Sequence, residues 1–327
     1  MMDNNIMQMG NFIAVNDDGE GVLGKILYYS LSSVLIHREK LTQICDDVGF
    51  NVSAKRTAPA DAFRSATGDI FESKTVKTPY GTEVFKVYCR DNQSEKGVVS
   101  RELVKETLGS RTNDYKKLAN ITFSKDYGVS YCDLVYDEYV DASQHCREAV
   151  ELFELYQDCI GRKQVETLLR SFVDSLSAVK LLAHGHMYFI PREHMHRLDV
   201  FEDMISQLEL NNQHSNTRRM PMDSNSMFVV NDAKQREKMA AAFYRSVRRE
   251  IADYQERASY LIRSGSESAA VMERWIAKIE SLEQKKHEYE SVLKRELNDI
   301  DDEFSTLGYL SQELQIRARG IRLKRVA

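Results

Sequence analysis

Four of the chain's eight histidines, His184, His186, His194 and His196, lie within thirteen residues. Imidazole is a common ligand for borderline metals. Two His-x-His pairs flanking the apolar run Met187 to Ile190 would bind a metal only if a strand and the helix after it folded the pairs together. Alternate residues of a helix point nearly opposite ways, which sets His194 and His196 against such convergence. A second set is Asp69 followed fourteen residues later by Glu83-Val-Phe-Lys86. Two carboxylates can hold Mg²⁺ while a lysine stabilises charge, the chemistry of a metal-dependent nuclease or hydrolase. Glu83 and Lys86 are three apart, however, and on a strand they face opposite sides. Neither set completes a metal signature, so no metal and no cofactor are expected.

Cations form the other chemical signal. Lys55, Arg56 and Arg64 could grip a phosphate, although Pro59 and Asp61 between them also read as the capped start of a surface helix. Lys234 to the chain end holds 19 Lys plus Arg against 16 Asp plus Glu, whereas residues 141–232 hold 9 against 14. Positive charge is thus displaced toward the end of the chain. It gathers at Lys234, Arg236, Lys238, Arg245, Arg248 and Arg249, and again at Arg317, Arg319, Arg322, Lys324 and Arg325. If a helical hairpin brought these two clusters together, they would form one surface for phosphates or for an acidic protein groove. No Walker loop, GxGxxG or serine nucleophile elbow occurs.

The remaining composition bounds the class. With 327 residues, 42% hydrophobic, 29% charged and a net charge of -5, the chain is long enough for two domains and is ordinary for a globular protein. The acidic balance argues against a surface built wholly to hold nucleic acid. Five scattered cysteines without a CxxC pair read as free thiols of a reducing compartment. The first ten residues lack the basic start and apolar run of a signal peptide, and no 18-residue apolar segment occurs. The expected location is therefore cytoplasmic, with no membrane partner.

Periodicity supplies the elements that must position these residues. Asp232 is a good N-cap, and Met239, Phe243, Val247, Ile251, Tyr254, Ala258 and Leu261 follow at helical spacing. Gly265 breaks the rhythm, with Ser264 and Glu267 as a capping box for a second helix. Trp275 to Leu314 then alternate by three and four, interrupted at Lys286, Glu296 and Glu303. This predicts a long helical hairpin or coiled coil whose second helix outruns the first and either bends near Gly308, packs on the body or meets another chain.

Upstream, Asn11 to Val15 reads as a strand. Asn16-Asp-Asp-Gly-Glu-Gly reads as a solvated turn lacking the spaced ligands of a calcium loop. Val22 to Val48 reads as a helix or helix pair and Val98 to Leu108 as a helix. Hairpins are expected for Ser73–Lys77 with Glu83–Cys89 and for Lys117–Ser124 with Val129–Tyr136. Asp141–Ile160 and Lys163–Leu182 are expected as helices, and Met187–Ile190 and Met227–Asn231 as paired strands. The stretch from Asn211 to Ser226 is the most loop-like of the chain.

The segment Gly185-x-Met-Tyr-Phe-Ile-Pro-x-x-His194-x-x-x-Leu198-x-x-Phe201 resembles a recurrent motif of an uncharacterised prokaryotic and phage-encoded family of unknown function. The resemblance covers some twenty residues around Met187–Pro191. It implies a prokaryotic or phage setting and no activity.

The fold expected is α+β, a mixed and mostly antiparallel sheet body followed by the long C-terminal helical arm. The expected division is a body at 1–140, a helical pair with a small α/β unit at 141–231, and the arm with its basic tail at 232–327. The function expected is a non-enzymatic interaction or assembly protein, of phage or defence type, acting through the arm. Its partner is a protein or a second copy. The alternatives are a metal-dependent nuclease or hydrolase and a non-specific nucleic-acid binder.

Overall fold

The computed structural model describes residues 8–9, 12–13, 21–50, 56–79, 81–93, 95, 97–109, 112–214 and 220–326, without the side chains of 8–9, 12–13 and 324–326. The acidic turn from Asn16 to Glu20, Lys55, and the side chains of Lys324 and Arg325 lie outside the described residues.

In chain order, β1 (Gln8–Met9) and β2 (Phe12–Ile13) precede β3 (Val22–Ser30), β4 (Leu35–His37), α1 (Arg38–Asp47) and α2 (Pro59–Gly68). Next come β5 (Phe71–Thr78), β6 (Gly81–Asp91), β7 (Val98–Thr107), β8 (Asp114–Ser124) and β9 (Gly128–Cys132). α3 (Ala142–Asp158), β10 (Cys159–Gly161), α4 (Arg162–Asp174), β11 (Val179–Lys180), β12 (His186–Pro191), α5 (Leu198–Leu210) and β13 (Asp223–Val230) lead into the arm. The arm is α6 (Ala233–Arg263), α7 (Ala269–Leu293) and α8 (Asp301–Val326).

Two compact units emerge, one of Met1–Ser30, Leu169–Ile205 and Met222–Ala327, the other of Leu31–Leu168 and Ser206–Pro221. They are discontinuous in sequence, unlike the consecutive segments 1–140, 141–231 and 232–327. The reason is pairing: β3 hydrogen-bonds to both β12 and β13, which lie far along the chain.

In the first unit the sheet order is β11-β12-β3-β13, with the described pairs antiparallel. The strand Val22–Ser30 replaces the helix expected there. Val22, Leu23 and Gly24 at its start are buried in succession, a short apolar run that periodicity cannot separate from a buried helix. Leu23 joins Phe189 and Val229 in the core beneath the arm, while Tyr29 lies 5.3 Å from Phe201, itself 5.6 Å from Phe172. Met187–Ile190 and Met227–Asn231 do form strands, but they flank β3 instead of pairing with each other. The helix expected to reach Leu182 ends at Asp174.

The arm is three helices, not two. Asp232 caps α6 by accepting from the Gln235 amide at 2.8 Å. The start of α7 is capped at Ser268 without a side-chain bond, so the Ser264/Glu267 box does not form. The second helix ends at Lys294, whose φ of 51° puts it in the left-handed region. Gly308 sits inside α8, so the bend falls at 294–300 and Glu296 is part of the connection. Tyr289 anchors α7 to the sheet: fully buried, it donates to the Ser177 carbonyl at 3.0 Å and lies 4.6 Å from Phe243.

In the second unit β5 to β9 form a five-stranded antiparallel meander, with β4 and β10 a separate pair. Both expected hairpins are present, although β9 ends at Cys132 and Asp133 turns out of it with φ 53°. Val98–Thr107 is a strand, not a helix. Leu103, Val104 and Lys105 are buried in succession, so the strand shows no period of two there; the register shift opposite them places the extra residue, Leu118, in β8. The α2 and α3 helices cover one sheet face through Phe63, Phe123 and Phe153, with ring centroids 5.3 to 6.5 Å apart.

A Cβ on Gly24 would stand 2.0 Å from the Ile190 carbonyl oxygen, where backbone has little room to give. Gly24→Ala is therefore expected to destabilise the protein by about 3 kcal/mol, read as a lowered urea midpoint for the transition of the first unit.

Candidate functional site

The four histidines do not converge. His186 stacks on Tyr29 at 4.4 Å, and His194 faces Glu288 of α7 at 3.6 Å. His184 and His196 are exposed. No group of three or more His, Cys, Asp or Glu among the described residues could hold a metal ion.

The Asp69, Glu83 and Lys86 set is also taken apart, by strand register. Asp69 precedes Phe71, which pairs with Tyr88, whereas Glu83 pairs with Val76 and Lys86 with Ser73. Five residues of strand, about 17 Å, separate the two ends.

Asp69 instead belongs to a cluster that its sequence neighbours do not announce. Its Oδ2 accepts the Tyr156 hydroxyl at 2.6 Å and lies 3.1 Å from Nε2 of His214, whose side chain is 5% exposed. Burial, reinforced by the neighbouring carboxylate, pushes the Tyr156 hydroxyl well above its ordinary pKa, so it stays a donor. Asp69 and Tyr156 line a cleft of about 840 Å³, together with Arg56, Asp61, Arg162 and Lys163. Pro59 opens α2 and Arg162 opens α4 at its rim, where Gln164 donates weakly to Thr57 Oγ1 at 3.4 Å. No pattern joins residues 69, 156 and 214 in sequence. The available signals were the basic stretch at Arg56 and the polar loop that contains His214.

The basic clusters lie at opposite ends of the arm. Arg248 donates to the Asp299 carbonyl at 3.0 Å and lies 3.5 Å from Glu303, while Arg317 donates to the Ile262 carbonyl at 2.7 Å. Arg248 and Ile262 are fourteen residues apart on α6, about 21 Å of helix, so the single positive surface considered above does not form. Arg317 also pairs with Glu313 and Arg322 with Glu273. Lys234, Arg245, Arg249 and Arg319 have no side-chain partner among the described residues.

The end of the arm carries an apolar feature instead. Inside the bundle α8 buries Phe304, Leu307, Leu314 and Ala318, yet Tyr309, Ile316 and Leu323, seven residues apart, are more than 70% exposed. The helix is therefore apolar on two faces, and only one is covered among the described residues.

A family model for proteins of unknown function matches residues 22–320. The chain belongs to this family, DUF6744. The likeness inferred from Met187–Pro191 thus extends to nearly the whole chain, and β3 to most of α8 fall within the family boundaries. Neither a curated protein nor a solved structure matches this DUF6744 member.

Cysteine chemistry adds no nucleophile near Asp69. Cys159 Sγ is 3.7 Å from Nδ1 of His37, but burial, aided by Asp158, pushes its thiol up to about 11. Burial likewise raises Cys45 and Cys146 to about 11 and Cys89 to about 12, while Cys132 is exposed. At pH 8 an aromatic disulfide reagent should therefore titrate one thiol, Cys132, in the folded DUF6744 protein and all five after unfolding. Fast reaction of a second thiol in the native state would contradict the burial of the other four.

Proposed function

We propose that this is a non-enzymatic cytoplasmic assembly protein that pairs two copies through the outer face of α8. The observation that carries the reading is the exposed stripe of Tyr309, Ile316 and Leu323. A seven-residue repeat of exposed apolar side chains supplies one of the two apolar lines that a paired helix buries. Within the arm that seam has no cover, because α6 and α7 pack on the opposite stripe of α8.

Charge selects the partner. The first turn of α8 holds Asp301, Asp302 and Glu303, and residues 317–325 hold Arg317, Arg319, Arg322, Lys324 and Arg325. A second α8 laid antiparallel sets the acidic end of each copy against the basic end of the other. A two-fold axis between Gln312 and Glu313 places Tyr309 opposite Ile316, Asp302 opposite Leu323, and Ser305 opposite Gly320, where small side chains let the helices approach. Such a contact is isologous and closes as a dimer. No helix among the described residues is long and apolar enough to cross a membrane, and the free cysteines suit a reducing compartment.

Light scattering after size exclusion should give about twice the 37.7 kDa chain mass for the full-length protein. Ile316→Glu, alone and with Tyr309→Glu, should give the monomer with unchanged far-UV circular dichroism, since both positions are exposed. A wild-type monomer at every concentration, or a dimer indifferent to these changes, would remove the reading.

A further inference from the structure

The Asp69 cleft has the construction of a small-ligand site, and the assembly reading does not use it. Its volume of about 840 Å³ gives an open cleft with room for a small molecule. Its lining carries three cations, Arg56, Arg162 and Lys163, against two acids, Asp61 and Asp69. Asp61 lies 3.1 Å from Arg64 in an exposed pair of little strength, and Asp69 Oδ2 is occupied by Tyr156 and His214. Of the cations, Arg162 and Lys163 have no side-chain partner among the described residues. Arg56 has only a 3.9 Å contact to Asp158, with both side chains about two-thirds exposed, an interaction of little strength. Three cations thus face one cleft on a chain whose net charge is -5.

The inner end is the opposite in kind. Asp69 is fixed by two hydrogen bonds to one oxygen, and its Oδ1 accepts nothing from another described side chain. A carboxylate held in place by Tyr156 and a buried His214 is a ready acceptor for a ligand hydroxyl or amino group. The geometry points to a site for a small phosphate ester, its phosphates on Arg56, Arg162 and Lys163 and a hydroxyl or amino donor on Asp69. The guanidinium forks suit phosphate oxygens through paired N–H donors. A bare polyanion would use the cations alone, so the carboxylate makes the site discriminate among phosphate compounds. The requirement for a donor one cleft-length from the phosphates separates an ester from inorganic phosphate.

The test is calorimetric titration of the full-length protein at low salt with pyrophosphate, with ADP, and with a single-stranded oligonucleotide. Pyrophosphate and ADP should both bind, ADP more tightly, and the oligonucleotide should not displace ADP. The paired change Arg162→Glu with Lys163→Glu should weaken both small ligands at least tenfold. These side chains are exposed, so the melting temperature should hold. Asp69→Asn should remove the advantage of ADP over pyrophosphate while leaving pyrophosphate binding within about twofold. Should that variant unfold, the Arg162/Lys163 pair still decides whether the cations bind phosphate. The assignment is overturned if pyrophosphate does not bind, if the double variant binds as tightly as the wild type, or if the oligonucleotide displaces ADP. Failure here leaves the dimer untouched, because the mass measurement reads α8 and not this cleft.

Discussion

The first unit is arranged about one strand that cannot tolerate a side chain at Gly24. β3 exchanges hydrogen bonds with β12 on one edge and β13 on the other, and the Ile190 carbonyl occupies the space where a Cβ would stand. Both edges are paired and its side chains pack to two sides, although Tyr28 and Ser30 stay exposed. One is closed by Leu23 against the arm core, and the other by Tyr29 against Phe201. The arm is therefore part of the sheet's core, because the sheet alone would leave Phe189 and Val229 in water.

Tyr289 shows how that burial fixes the arm's geometry. Its ring packs between Phe243 and Phe189, and its hydroxyl satisfies the Ser177 carbonyl, which follows the end of α4. The bond ties α7 to the turn between α4 and β11. The left-handed Lys294 then turns the chain back, and Lys286 braces the turn by pairing with Asp301 at the start of α8. Once α8 lies with Phe304, Leu307 and Leu314 inward, Tyr309, Ile316 and Leu323 are left outward by helix geometry alone.

The second unit solves a different problem. Its meander covers one face with α2 and α3, and the same helices deliver Asp69 and Tyr156 to the cleft. Thr67, fully buried at the last turn of α2, satisfies its hydroxyl on the Phe63 carbonyl at 2.7 Å, which helps hold Asp69 at the helix end. His214 reaches the same carboxylate from a loop whose position is set by Asn212, which accepts from the Leu35 amide at 3.0 Å and donates to the Ser33 carbonyl at 3.1 Å. Three distant segments meet at one oxygen, so the site exists only in the folded unit.

The sequence by itself determined the α+β class, the two hairpins, the Asp232 cap and the helical character of the arm, because these follow from local periodicity and capping. It also showed a second helical run longer than the first, which the structure divides into α7 and α8. Only the tertiary structure decided that Val22–Ser30 is a strand, since its first three residues are buried in succession and show no period of two, and that Val98–Thr107 is one too, since Leu103, Val104 and Lys105 are likewise buried in succession. It alone separated Asp69 from Glu83 through hairpin register, kept the arm's two basic ends about 21 Å apart through the parallel course of α6 and α8, and joined Asp69 to Tyr156 and His214. Those outcomes depend on which distant segments share a core, and that information is carried by burial and register, not by spacing along the chain.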